Sequence, residues 1–314
     1  MQRRTRLFLS VFAAAALAGT LDTTGLPAQT ATSEQAPIKA PTRLHSEPQT
    51  YLLLPMANQR TRFFYVPGWL DRAANLQARF ELIARGLERW MDQEAVEYVV
   101  YVLDRDEWGK AGYTVPYGVP IRVGQRGVAA PAGGDAETVA LWRDLLGGRL
   151  PQVAGTPIRS SPDELASIVV SDQMAQVLAA EALVDATGLA GDKHWVRGLS
   201  THVASLSVVL RAGSDRPSDV SSLYQSFLRF RQPKTMSLDQ YDPDVDFKDW
   251  LYFQAHFHFA ALTLLDKTGK KDGLQKLEKL RKKNGGVLRG DVLRRKFEGL
   301  DNYLRENFSA VRLR

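Results

Sequence analysis

The chain has 314 residues and no cysteine. That excludes disulfides, thiol nucleophiles, thiolate metal ligands and a lipid-modified cysteine, and it makes an oxidising compartment harmless. Histidine is scarce, with five residues. His256 and His258 stand two apart, a spacing that on a helix sends them to different faces and makes a poor chelating pair. Long apolar runs are also missing: beyond the first twenty residues no stretch is expected to cross a membrane. There is no internal repeat and no motif for reading RNA or DNA, so nucleic acid is not an expected partner. Pro131-Ala132-Gly133-Gly134-Asp135 has neither the spacing nor the strand-to-helix context of a phosphate loop and reads as a turn. The alternating carboxylates of Asp242, Asp244 and Asp246 suggest calcium, but Phe247 stands where that loop needs Gly and Phe253 where it needs its distal Glu.

What is present begins with a basic start (residues 1–6), an apolar run (residues 7–18) broken only by Ser10, and the cleavage signal Ala16-Leu17-Ala18. This pattern predicts a signal peptide over residues 1–18, with a second possible cut as late as residue 31, and export to a bacterial periplasm or the medium. Residues 19–50 are rich in Thr, Ala, Pro and Gln and poor in large apolar groups, so they are expected to form a disordered tether. About 260 residues remain, enough for one large or two closely packed subdomains. The boundary is expected near Ser161, between an α/β part (51–160) and a mostly helical part (161–314).

In the first part, residues 51–54 and 61–66 read as strands ending in the turn Pro67-Gly68. Leu76, Phe80, Ile83, Leu87 and Trp90 recur at helical spacing over residues 70–91. Residues 95–103 read as a strong strand and 121–129 as another. Asp104-Arg105-Asp106-Glu107-Trp108 could be an acidic catalytic cluster, but acids opening a short helix are favoured by the helix dipole without any chemistry.

The second part opens on Ser161-Pro162-Asp163-Glu164, a Ser cap with Pro at the first helical position and Glu three residues on. The helix that follows has an apolar face from Leu165 to Leu183, interrupted by Asp172 and Gln176, one turn apart, with Gln173 beside them. A second core helix is expected over residues 199–210. It carries His202, which reads more simply as a packed core residue than as a ligand.

Asp172-Gln173-Met174-Ala175-Gln176, followed by His194-Trp195-Val196-Arg197-Gly198-Leu199-Ser200, resembles the zincin metallopeptidases of the glutamate-ligand branch, the peptidase MA-like family. There the first run is H-E-x-x-H and the second carries a Glu as third zinc ligand. The resemblance extends upstream through Arg62-Phe63-Phe64-Tyr65 and Val99-Val100-Tyr101-Val102, and downstream through Trp250-Leu251-Tyr252-Phe253 with Phe257, Ala261, Leu264 and Leu265. It covers roughly residues 60–310 by order and pattern rather than by identities. It implies an α+β, zincin-like fold in which a small twisted sheet with a backing helix precedes a helical half, the cleft between them floored by the Asp172 helix. Active relatives bind an extended peptide along the sheet edge and cleave it over zinc.

Here every defining residue of that motif is replaced. Zinc wants His nitrogen and carboxylate oxygen. Gln176 is neutral, Arg197 brings a fixed positive charge, and Gln173 has no basicity to activate water. Asp172, Gln173, Gln176 and Arg197 are therefore expected to be vestigial positions, with no metal, no cofactor and no catalytic residue, and Arg197 is expected to pair with Asp172 in place of the metal. Read alone, the same polar residues are a solvated helix face and Arg197 a surface residue. The leading expectation is an inactive pseudopeptidase binding a peptide or envelope-protein partner. One alternative is a hydrolase remodelled onto other residues, for instance His202 with Asp172. The other is a structural envelope protein acting through its basic C-terminal helices: residues 266–314 hold 15 Lys and Arg against 7 Asp and Glu, more than the chain's entire net charge of +6. Two amphipathic helices with cationic outer faces are expected there, available to an anionic surface.

Overall fold

The apolar runs of the first part assemble into a five-stranded sheet. The computed structural model describes residues 44–49, 53–56, 61–91, 97–148, 150, 162–211, 217–230, 237–238, 241–242, 245–268 and 272–308. The expected signal peptide, residues 19–43 of the tether and the Ser161 cap lie outside them. Strands β1 (Leu54–Met56) and β2 (Thr61–Tyr65) lead into helix α1 (Leu70–Met91). Strand β3 (Tyr98–Leu103), helix α2 (Arg105–Lys110), strands β4 (Ile121–Val123) and β5 (Gly127–Pro131) and helix α3 (Ala136–Leu145) follow. The sheet order is β1-β2-β3-β5-β4. β2, β3 and β5 are parallel, with Phe63 opposite Val100 and Val100 opposite Val128, and antiparallel edges close both sides.

Leu76, Phe80, Ile83 and Leu87 are all buried, so the helical periodicity of α1 is the stripe that covers the sheet. β3 is buried along its whole length, as a strand parallel to both neighbours and covered on both faces must be. Asp104 caps α2 by accepting from the Glu107 amide at 2.9 Å, so at least this acid has a structural duty. Residues 121–129 are not one strand. Gly124, at φ +53°, turns the chain so that Ile121 faces Ala129 across an antiparallel hairpin.

The second part is helical: α4 (Pro162–Thr187), α5 (His194–Arg211), α6 (Pro217–Phe230), α7 (Phe247–Thr268), α8 (Gly273–Lys283), α9 (Gly290–Lys296) and α10 (Glu298–Asn307). The architecture is thus α+β, and one continuous core includes Val100 and Trp142 of the first part and Leu178, Leu199 and Phe257 of the second. The basic tail forms three helices rather than two: Gly285 and Gly286, both at positive φ, follow the end of α8, and Phe297, at φ −123° and ψ 87°, breaks the remainder into α9 and α10. Contrary to expectation, one later segment, Ala166–Thr187 of α4, is long and apolar enough to span a bilayer, at mean hydropathy 1.2. It is 78% buried, packed against β5, α3, α1 and α5, which is the setting of a core helix.

The last residues of the expected tether are held against the sheet. The His45 amide donates to Arg122 O at 3.0 Å and the Gly124 amide donates to His45 O at 2.8 Å, a parallel bridge on the outer edge of β4. Tyr101 donates its hydroxyl to Glu47 at 3.0 Å and Tyr113 donates to Ser46 O at 3.1 Å.

Candidate functional site

The motif positions lie on α4, and its partner helix α5 folds back across a short connection. Gly191, at φ +78°, makes that connection possible: a Cβ there would fall 2.4 Å from Val196 and 2.7 Å from Leu288 O. The Asp192 amide donates to Leu288 O at 3.1 Å, and the Gly290 amide donates to the Asp192 carboxylate at 2.9 Å, which ties the turn to the tail. The resulting antiparallel register places Gln176 beside Ser205, the amide donating to the hydroxyl at 3.2 Å. It places Arg197 beside Glu181 and Asp185.

That register overturns the expected Arg197–Asp172 pair. The Arg197 guanidinium lies 2.5 Å from Asp185 and 3.1 Å from Glu181, two carboxylates one turn apart on α4. Arg122 of β4 joins from the other side, 3.3 Å from Asp185 and donating to Gln125 O at 2.7 Å. Burial pushes the Glu181 carboxyl above the usual carboxylate range, with Arg197 and Arg122 opposing. Burial would lower Arg197, but Glu181 and Asp185 outweigh it and raise it. The physical reason for the displacement is length: α4 continues to Thr187, so the chain turns back too late for residue 197 to reach residue 172. Glu181 lies nine residues beyond Asp172, about 13 Å along the axis.

Asp172 is buried and paired with Arg72 of α1. Arg79 approaches its other oxygen at 4.0 Å, and Arg72 also donates to Pro131 O at 3.4 Å. The position that was to floor an open cleft is instead covered by α1. Ser171, next to it, donates to Gly118 O at 2.8 Å and fixes α4 to the loop before β4.

The structure does bring three sequence-flagged residues together. Gln173, Gln176 and His202 line one cavity with Ser205, Tyr224 and His258. Gln173 Oε1 and the Tyr224 hydroxyl are buried there without a hydrogen-bond partner among the described residues. At about 30 Å³ the cavity is far below the roughly 300 Å³ at which ligand pockets begin. His202 is fully buried. Gln254 donates through Nε2 to the Tyr241 hydroxyl at 2.8 Å, so its Oε1 accepts from His202 Nε2–H, also at 2.8 Å. Burial pushes His202 down to about 4, the Gln254 hydrogen bond opposing. The imidazole is therefore neutral at pH 7, and it does not meet Asp172, whose partner is Arg72. His256 and His258 go separate ways as their spacing requires, to Tyr303 at 3.0 Å and Ser221 at 2.9 Å.

Zinc, which the resemblance implies, does not fit the residues present. Asp172 is neutralised by a guanidinium, Gln176 is bonded to Ser205, and the third-ligand position holds an arginine clamped by two acids. Among the described residues no group of three or more His, Asp or Glu side chains converges to hold a metal ion. Arg72, Glu181, Asp185, Arg122 and Gln254 were missed from the sequence. The available signal was the Glu181/Asp185 pair itself, two acids one turn apart in a helix otherwise too apolar to be exposed. Compared with known families and with curated proteins, the sequence matches no family model and no curated protein.

Proposed function

We propose that this chain is an exported, catalytically inactive relative of the peptidase MA-like zincins that holds an extended peptide along the outer edge of β4. The zincin-like reading is supported by the order of parts: a sheet whose edge strand runs antiparallel to its neighbour, a long core helix beside that hairpin, and a second helix folded back on it. Inactivity is supported by the chemistry at the motif. Arg72 occupies the only acid, no side chain there can activate water, and Arg197 is held by Glu181 and Asp185. The competing reading, a hydrolase remodelled onto His202 and Asp172, is disfavoured because those two residues are committed to different partners.

One observation carries the peptide-binding reading: the β4 edge already takes an extended segment, residues 44–47 of the chain itself, through two backbone hydrogen bonds to His45. Edge strands recruit added strands in this way, with main-chain bonds giving affinity and side-chain pockets giving selectivity. Here Tyr101 and Tyr113 supply the side-chain contacts, to Glu47 and Ser46. A partner strand takes the same place by displacing this segment.

The test uses a labelled peptide spanning residues 41–49 in trans. Replacing His45→Pro removes the amide that donates to Arg122 O, and the full-length variant is expected to bind the peptide saturably while wild type does not. Equal absence of binding, with the variant folded, refutes the reading.

A further inference from the structure

A second site lies away from α4, where the tail helices meet the end of α7. A cavity of about 570 Å³ is lined by Lys267, Lys276, Lys279, Lys283 and Lys296 around Leu280 and Phe297, a volume within the range of small-molecule sites. Among the described residues no carboxylate lines it. Lys276 donates to Thr268 O at 2.6 Å, satisfying a carbonyl at the end of α7. Lys267, Lys279, Lys283 and Lys296 are exposed and make no ion pair among the described residues. Other basic residues of the tail differ. Arg281 is bonded to Glu278, Arg294 to Asp301, Arg295 to Asp291 and Arg305 to Asp301. The tail therefore pairs these arginines locally and leaves four lysines without an ion pair, among the described residues, around one concavity.

The walls between those groups are apolar. Leu280 is nearly buried and Phe297 half-buried at the floor. Gly299 leaves room beside the Lys267 stem, whose methylenes lie 3.6 Å from where a Cβ would be. Lysines in such a setting lay their stems on apolar surface and present charge at the rim.

We propose that this groove binds an anionic phospholipid, the phosphate held by Lys279, Lys283 and Lys296 and the first acyl methylenes lying on Leu280 and Phe297. Charge complementarity selects an anion, because like charges lining one cavity are relieved by a counter-charge. The floor and the volume select an amphiphile over a free phosphate, which would leave Leu280 and Phe297 uncovered. This site is independent of the reading of α4.

The experiment is co-sedimentation of the full-length protein with vesicles of phosphatidylcholine containing phosphatidylglycerol, at 0.15 M salt. Three lysines near an anionic surface are together worth about a hundredfold in binding, so Lys279→Gln/Lys283→Gln/Lys296→Gln is expected to weaken sedimentation by about that factor with unchanged thermal stability. A control that removes the same charge elsewhere on the tail, Lys282→Gln/Arg289→Gln/Arg295→Gln, is expected to cost less than about a fifth of it. An equal loss in both variants, or no loss in the first, overturns the site. Inorganic phosphate binding as tightly as the vesicles overturns the lipid assignment. A single-stranded oligonucleotide captured through the same three lysines does the same.

Discussion

Replacing Arg197 by Met removes the guanidinium that lies 2.5 Å from Asp185 and 3.1 Å from Glu181 while keeping most of its volume. Glu181 is 4% exposed and is left without its nearest counter-charge. Breaking one side of a buried pair costs about 3–5 kcal/mol. The lower end, about 3 kcal/mol, applies here because Arg122 still holds Asp185. With a urea m-value of about 3 kcal/mol/M for a domain of this size, the midpoint falls by about 1 M, read by tryptophan fluorescence. The cost depends on pH in a definite direction. Burial raises the folded pKa of Glu181 above its unfolded value, so its protonated form favours folding below the ordinary carboxylate range and that contribution is lost as pH rises through the folded value. Without Arg197 the folded value rises further, so the variant is least impaired in acid and most impaired near neutrality. A double-mutant cycle locates the interaction. Glu181→Gln with Arg197→Met is expected to show coupling above about 1 kcal/mol, and Asp172→Asn with Arg197→Met below about 0.5 kcal/mol. The reverse pattern would mean that Arg197 stands over Asp172 after all and that the helical register described above is wrong.

The buried histidines give a second pH signature: His202 and His256 are pushed from 6.5 down to about 4, so the stability they lend is present above pH 6.5 and is lost as pH falls toward 4. For His202 alone this amounts to about 3 kcal/mol, and His202→Gln should flatten the acid limb of a denaturation-versus-pH curve. Gly198→Ala places a methyl 2.5 Å from the Phe257 ring and should cost about 1–3 kcal/mol in thermal unfolding, with partial recovery when Phe257→Leu is added. Asp172→Ala should destabilise by about 3–5 kcal/mol by leaving Arg72 buried without its carboxylate. It should do so equally with and without added zinc in the denaturation buffer.

Much of the fold is legible in the sequence because it rests on period and punctuation. The stripe Leu76, Phe80, Ile83 and Leu87 marks α1, the apolar run from Tyr98 to Leu103 marks β3, and Asp104 marks the start of α2. The β4/β5 hairpin is harder to read because both its strands are short and buried, and only the three-residue turn Gly124-Gln125-Arg126 separates what looks like one strand. The candidate site is less legible still. Which acid meets Arg197 depends on how far α4 runs before it turns, and a difference of a few residues at Thr187 moves the contact two turns along the helix. The partner of Asp172 comes from α1, a hundred residues earlier, and no local pattern announces it. His202 shows the opposite case: its reading as a packed core residue follows from its place on an apolar helix face, and the structure adds the Gln254–Tyr241 chain that holds it.

The most direct test of the account is the zinc content of the purified protein after incubation with excess zinc and dialysis. The chemistry at Asp172, Gln176 and Arg197 predicts a stoichiometry near zero. One zinc per chain, lost when Asp172 or His202 is replaced by Ala, would contradict it and restore a metal-dependent hydrolase.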